Sequence, residues 1–270
     1  MLISIIIINE IFPKKKAMIR FFRNIRQKLA AENKVAAYLR YAIGEIVLVV
    51  VGILIALQIN NWNEDRKSGI QETLYLNRLL EENKEDVANF NSYIKDLEKG
   101  IQAIELLSGA LKSNDSSDSL LVYYAYEYFK YGSIFPIFTP SSSTFSELSS
   151  TGNLRVIRNT SLRDKLVKLY TKHKQVAERI RIDIDWVLPI DAPFYYQHNI
   201  MRYEPSSAFL FPSESLNKFA NDLRTNRIFY INNSAAHFWI NQDAIKYLKL
   251  LVEDTNAIVL LLNKELNNYD

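Results

Sequence analysis

The residues with chemical potential in this chain are few and scattered. Ser92 and Lys95 stand in the Ser-x-x-Lys spacing of penicillin-binding enzymes. The 21 Ser and 19 Lys of the 270-residue chain give about one and a half such pairs by chance, and the motifs that accompany a working pair are absent. Both residues also fall inside a heptad-patterned helix. His173, His198 and His237 lie far apart, without metal-ligand spacing, and lone histidines of this kind are usually structural hydrogen-bonders. Asp183, Asp185 and Asp191 suggest a cation or sugar-nucleotide site, but the first two, at i and i+2 on a helix, point apart and read as a solvated face. Neither a Gly-rich phosphate loop nor a nucleophile elbow occurs. Without cysteine there are no disulfides, Cys-zinc sites or thiol catalysis. The expectation is a protein that is not an enzyme, with no cofactor and no bound metal.

The elements that carry these residues are helical. Only 7 Gly and 7 Pro argue against a turn-rich β fold, and a mean hydropathy of −0.11 with 48% hydrophobic residues suits at most one membrane span. The charge of +3 hides an asymmetry. Residues 1–40 hold nine Lys/Arg against Glu10 and Glu32, whereas the rest holds 24 basic and 28 acidic groups. Such an arm suits nucleic acid or an anionic membrane, and the residues directly downstream of it decide between the two.

Residues 41–59, YAIGEIVLVVVGILIALQI, make a helix of about 28 Å, close to the ~30 Å hydrocarbon thickness of a bilayer. Basic residues precede it, and Asn60, Asn61 and the interfacial Trp62 close it. A span is therefore expected. The basic flank keeps the N-terminus cytoplasmic and sends the C-terminal part to the far side of the membrane. It also accounts for the arm without nucleic acid. Arg20, Arg23, Arg26, Lys28 and Arg40, with Trp62, are the expected membrane-interface residues, and the lipid bilayer is the expected partner. Within the span, Gly52 and Ala56 form a small-xxx-small pair, and Glu45 lies on nearly the same face. Those three are candidates for helix packing, and the chain would self-associate through this helix or through the stalk helix that follows it. Residues 1–17 lack the features of a signal peptide and read as a misassigned start, with Met18 opening a basic amphipathic segment.

The stretch RYAIGEIVLVVVGILIALQINNWNE at residues 40–64 resembles an uncharacterised family of Bacteroidota single-pass membrane proteins. A second stretch, TFSELSSTGNLRVIRNTSLRDKLVKLY at 144–170, resembles the same family's later segment. The resemblance covers roughly residues 18–180. It implies a cell-envelope protein with an exported helical region, and no catalytic residues come with it.

The expected organisation is a cytoplasmic segment 1–40, a transmembrane helix 41–59, a link 60–67 and an exported domain 68–270. The fold class is all-α, a bundle of long antiparallel, heptad-patterned helices. Leu76, Leu80, Val87, Phe90, Ile94, Leu97, Ile101, Ile104 and Leu111 alternate four-three over residues 68–112, as a coiled-coil stalk would. The natural partner of that stalk is the last helix, 234–266, antiparallel. A helix over 120–131, a capped helix ending at Gly152 and a long helix from Asn159 or Thr160 to about Asp185 lie between. Aromatics crowd residues 123–138 and read as core. Pro189, Pro193, Pro205 and Pro212 then interrupt a stretch carrying Phe194, Tyr195, Tyr196, Tyr203, Phe209 and Phe211, read as a loop with a candidate partner surface. The functional expectation is a structural or protein-interaction module meeting another envelope protein. The alternative is a single-pass sensor or accessory subunit that signals through a partner, since the inside portion is too short for an output domain; a membrane-bound enzyme is a third reading, without a supporting motif.

Overall fold

A computed structural model describes Arg20, Arg23, Asn24, Gln27, residues 35–204 and residues 206–268, with the side chains of the long first helix described from Leu39. The first seventeen residues, Arg26 and Lys28 lie outside the described residues, and with them the expectation about the start of the chain. The described regular elements are all helical, and they divide into two compact units, Met1–Ser68 and Gly69–Asp270. Helix α1 (Val35–Lys112) begins in the first unit and continues in the second.

In the first unit, α1 holds the most apolar sequence in the molecule. An 18-residue window reaches a mean hydropathy of 2.6, and none of that window is buried. Every residue from Ile46 to Trp62 is exposed, including Leu48, Val49, Ile53, Leu54 and Ile59. The helix is long and apolar enough to cross a membrane.

In the second unit, α1 is followed by α2 (Asp118–Glu127), a π-helical turn (Tyr128–Gly132), α3 (Ser143–Ser150), α4 (Thr160–Gln197), α5 (Leu216–Thr225) and α6 (Arg227–Leu266). Local chemistry sets the starts: the side chains of Ser117, Asn159 and Ser215 accept from the backbone N–H groups of Leu120, Leu162 and Lys218. Gly152 ends the α3 turn in the left-handed region, φ 72°, where a β-carbon would be strained.

Three apolar clusters run along the bundle. Leu76 and Leu80 of α1 meet Leu162 and Leu166 of α4 and Ile258 and Leu262 of α6. Phe90, Ile94 and Leu97 meet Val176 and Ile180 of α4 and Ala244 and Leu248 of α6. Ile104 and Leu107 meet α2, Phe194 and Tyr230. The order of these contacts makes α4 parallel to α1 and α6 antiparallel to both. The stalk therefore has two long partners rather than one. Helices α4 and α6 also pack closely on each other.

Helix α4 also runs well past its expected end, through Pro189 and Pro193 to Gln197. Both prolines are exposed, so the carbonyls of residues 185 and 189, which lose their donors, have water available instead. Val187, Asp191 and Phe194 on the buried stripe hold the helix in place. The stretch read as a loop is thus half helix, with 3-10 turns at Ile200–Tyr203 and Ala208–Leu210. Helix α6 starts seven residues before its expected start, at Arg227.

A single glycine lets the chain turn back at the far end of the bundle. A β-carbon on Gly100 would sit 2.6 Å from the Tyr131 carbonyl oxygen, so the π-helical turn approaches α1 through the missing side chain. Gly132 is equally hemmed in, by Tyr128 and Ile104. Gly100→Ala should therefore lower the stability of the domain by about 1–2 kcal/mol, because overpacking of ~1–3 kcal/mol outweighs the gain in helix propensity of up to ~1 kcal/mol. Thermal unfolding in detergent followed by circular dichroism measures it, and a raised midpoint would refute the close approach.

Candidate functional site

The residues singled out on the apolar helix stay on its surface. Glu45 is half-buried, while Gly52 and Ala56 are exposed, and nothing lies within 4 Å of a β-carbon placed on Gly52. At i, i+7 and i+11 the three share one face of α1. Arg40 and Trp62, at either end, are exposed, Trp62 by 66%. Arg20 and Arg23 are helical and exposed.

The aromatic residues read as a partner surface divide. Phe194 and Tyr203 are in the core, packed round Phe129, which stacks on Tyr203 at 4.8 Å and on Phe194 at 6.4 Å. Their burial follows from the helix that Pro189 and Pro193 fail to break, which turns Phe194 inward with Asp191 and Val187. Tyr195 is half-buried and its hydroxyl donates to Ser133 at 3.2 Å. Phe211 is half-buried, whereas Tyr196 and Phe209 are 86% and 79% exposed. A second exposed aromatic pair, Trp186 and Trp239, meets edge to face at 5.4 Å between α4 and α6.

Side chains of α1 do most of the polar work in the second unit. The Glu72 carboxylate is buried and accepts the backbone N–H of Arg158 at 2.6 Å. One side chain, Glu82, caps α3: it accepts the Thr144 N–H at 3.1 Å and the Thr144 hydroxyl at 2.7 Å, with the Ser143 hydroxyl on the same oxygen. A negative charge at a helix N-terminus is favourable there. Asp86 accepts the Ser141 N–H at 2.7 Å. Tyr75 donates to Glu147 at 2.7 Å, and Arg78 pairs with the same carboxylate at 2.9 Å. Five residues of one helix thus hold residues 141–158. Hydrogen bonds from Tyr75 and Arg78 hold the Glu147 carboxyl below its ordinary pKa.

Two buried titratable groups near the clamp differ in chemistry. Burial, with Glu82 and Glu85 nearby, pushes Asp86 up to about 6. His173 sits between Tyr170 at 5.4 Å, Phe90 at 5.8 Å and Phe138 at 6.1 Å, and neither of its ring nitrogens has a hydrogen-bond partner among the described residues. Burial pushes it down to about 4, against a smaller opposing pull from Asp254.

A third polar group joins the π-helical turn, α4 and α6. The Tyr128 hydroxyl donates to Asn233 at 2.6 Å, Asn233 donates to Asp191 at 2.6 Å, and His237 Nε2 donates to the same carboxylate at 3.0 Å. All four side chains are buried, and burial raises the Tyr128 hydroxyl well above its ordinary pKa. A histidine, a carboxylate and a phenol in one chain have the composition of an acid–base relay, but a sealed one. Asp183 is likewise buried, with Arg179 at 3.3 Å, while Asp185 is exposed and pairs with Arg181. Among the described residues no three His, Asp or Glu side chains converge as metal ligands.

Asp86 and His173, both buried, oppose each other in pH. His173 is depressed on folding, so its contribution is present above about pH 6.5 and is lost as pH falls towards 4. Asp86 is raised on folding, so its contribution is present below about pH 4 and is lost as pH rises through 6. Relative to the parent, His173→Leu should gain stability as the pH falls from 6.5 to 4, and Asp86→Asn should gain it as the pH rises from 4 to 6, each by on the order of 2–3 kcal/mol. Unfolding midpoints measured from pH 4 to 7.5 check both, and parallel curves for parent and variants would refute the assignment.

Comparison with known proteins adds one match. No curated protein and no solved structure matches the chain. Residues 45–177, from Glu45 in the apolar helix through the clamp to the first half of α4, match the model of a family of unknown function (DUF6090).

Proposed function

We propose that the chain is a single-pass protein of a bacterial inner membrane, anchored by residues 41–59, with residues 1–40 in the cytoplasm and 68–270 in the periplasm. Its role is structural or interactive rather than catalytic. One observation carries the anchor: the continuous exposure of Ile46–Trp62. A soluble protein tolerates apolar patches of only a few hundred Å² facing water, and a bare apolar helix of this length meets that limit only in lipid. The basic residues before it and the balanced charges after it support the orientation. An interaction role is supported by the large apolar side chains exposed on the second unit, among them Tyr196, Phe209 and Trp186. Self-association is supported by the common face of Glu45, Gly52 and Ala56, because small residues let helices approach closely in lipid.

The protein should resist alkaline carbonate extraction from membranes, and protease added to spheroplasts should digest residues 68–270. Protection of that region would reverse the orientation, and release by carbonate would remove the anchor altogether. Gly52→Ile should cut crosslinked dimer in membranes several-fold with the amount of membrane-bound protein unchanged. Undiminished dimer would exclude that face.

A further inference from the structure

A groove of about 360 Å³ opens between the antiparallel helices α4 and α6. Its floor is apolar, with Leu169, Ile258 and Leu261. Along one edge stand Lys165, Lys168 and Lys172, at i, i+3 and i+7, so all three belong to one face of α4 within about 10 Å of helix. Asp254, across the groove, pairs with Lys172. Neither Lys165 nor Lys168 has a carboxylate partner among the described residues. Like charges one turn apart repel, so the edge carries an excess of positive charge directly above hydrocarbon.

We propose that this groove binds an anionic amphiphile: a single alkyl or acyl chain on the Leu169–Ile258–Leu261 floor, with a carboxylate or phosphate head between Lys165 and Lys168. Each half of the site is incomplete alone. The floor removes hydrocarbon from water, and the ammonium groups form charge-assisted hydrogen bonds that an uncharged head would leave unmade. The volume lies at the low end of the ~300–1,000 Å³ typical of small-molecule sites, which suits one chain rather than two. An acidic helix of another protein fits less well, because the basic edge spans only two turns. The ligand is a single-chain amphiphile, a fatty acid or an alkyl phosphate, which present the same chemistry here.

Lysine footprinting of the full chain in phosphatidylcholine nanodiscs tests this. Reductive methylation of Lys165 and Lys168, read by mass spectrometry, should slow several-fold with dodecyl phosphate or dodecanoate, while the exposed Lys246 keeps its rate. Inorganic phosphate and dodecyl maltoside should give no such protection. Ala257→Trp, which keeps every lysine and fills the groove, should abolish the effect, and Ala257→Phe serves if the larger variant misfolds. Protection only on adding the single-chain probe supports the proposal, whereas protection in phosphatidylglycerol nanodiscs without added probe would assign the groove to a two-chain lipid and overturn it. Equal protection by inorganic phosphate or by the maltoside, protection surviving in both variants, or protection by an acidic peptide alone would overturn the proposal.

Discussion

Glu72, Glu82 and Asp86 hold the backbone of the returning chain, and the architecture of the second unit depends on that grip. A chain that leaves α1 at Lys112 must come back along it before α4 can begin parallel to it. The return between Gly132 and Ser142 has no helix of its own, so its end must be fixed from outside. Carboxylates suit the task because a buried backbone N–H without a partner is costly, and a charged acceptor makes a stronger bond than a neutral one. The same three residues explain why the segment 141–158 has the composition it has. Its small hydroxylated residues allow close approach, Gly152 turns the chain, and Asn159 starts the next helix once the turn is complete.

The apolar helix of the first unit and the polar clamp of the second illustrate two uses of one helical sequence. Before Asn60, α1 has apolar side chains on all sides. After Gly69 it has an apolar stripe toward α4 and α6 and a row of carboxylates beside it. The family match begins within the first kind of sequence and ends beyond the second. It leaves out Phe194, Tyr203, Phe209, Trp186 and Trp239.

Much of this was legible in the sequence. The four-three spacing from Leu76 to Leu111 marks the buried stripe of α1, with Val87 and Ser108 as its half-buried members. The caps at Asn159 and Gly152 mark where α3 and α4 meet. Two prolines mislead a reading of α4, because a proline breaks a helix only where the freed carbonyl has no other partner, and a sequence does not say which side faces water. That error conceals the network round Asp191. Once α4 continues to Gln197, Asp183, Val187, Asp191 and Phe194 fall on one stripe, and two acids in apolar slots announce buried partners. Asn233 and His237, four apart on α6, are the matching signal, but an expected start at Ser234 cuts them apart. The clamp is less accessible still. Exposed and buried glutamates look alike in a sequence, and only the path of the returning chain distinguishes Glu82 from Glu81.

Helix α6 contributes side chains to all three apolar clusters, and it is the last of these helices to be made. Until it emerges, the stripes of α1 and α4 have no complete cover, and the contacts that close them join residues far apart in sequence. Such topologies fold slowly compared with bundles of neighbouring hairpins. A ribosome-bound chain would therefore present a long greasy edge for as long as synthesis lasts. That edge puts a premium on holdase chaperones, and it makes truncations within α6 far more damaging to yield than their length suggests.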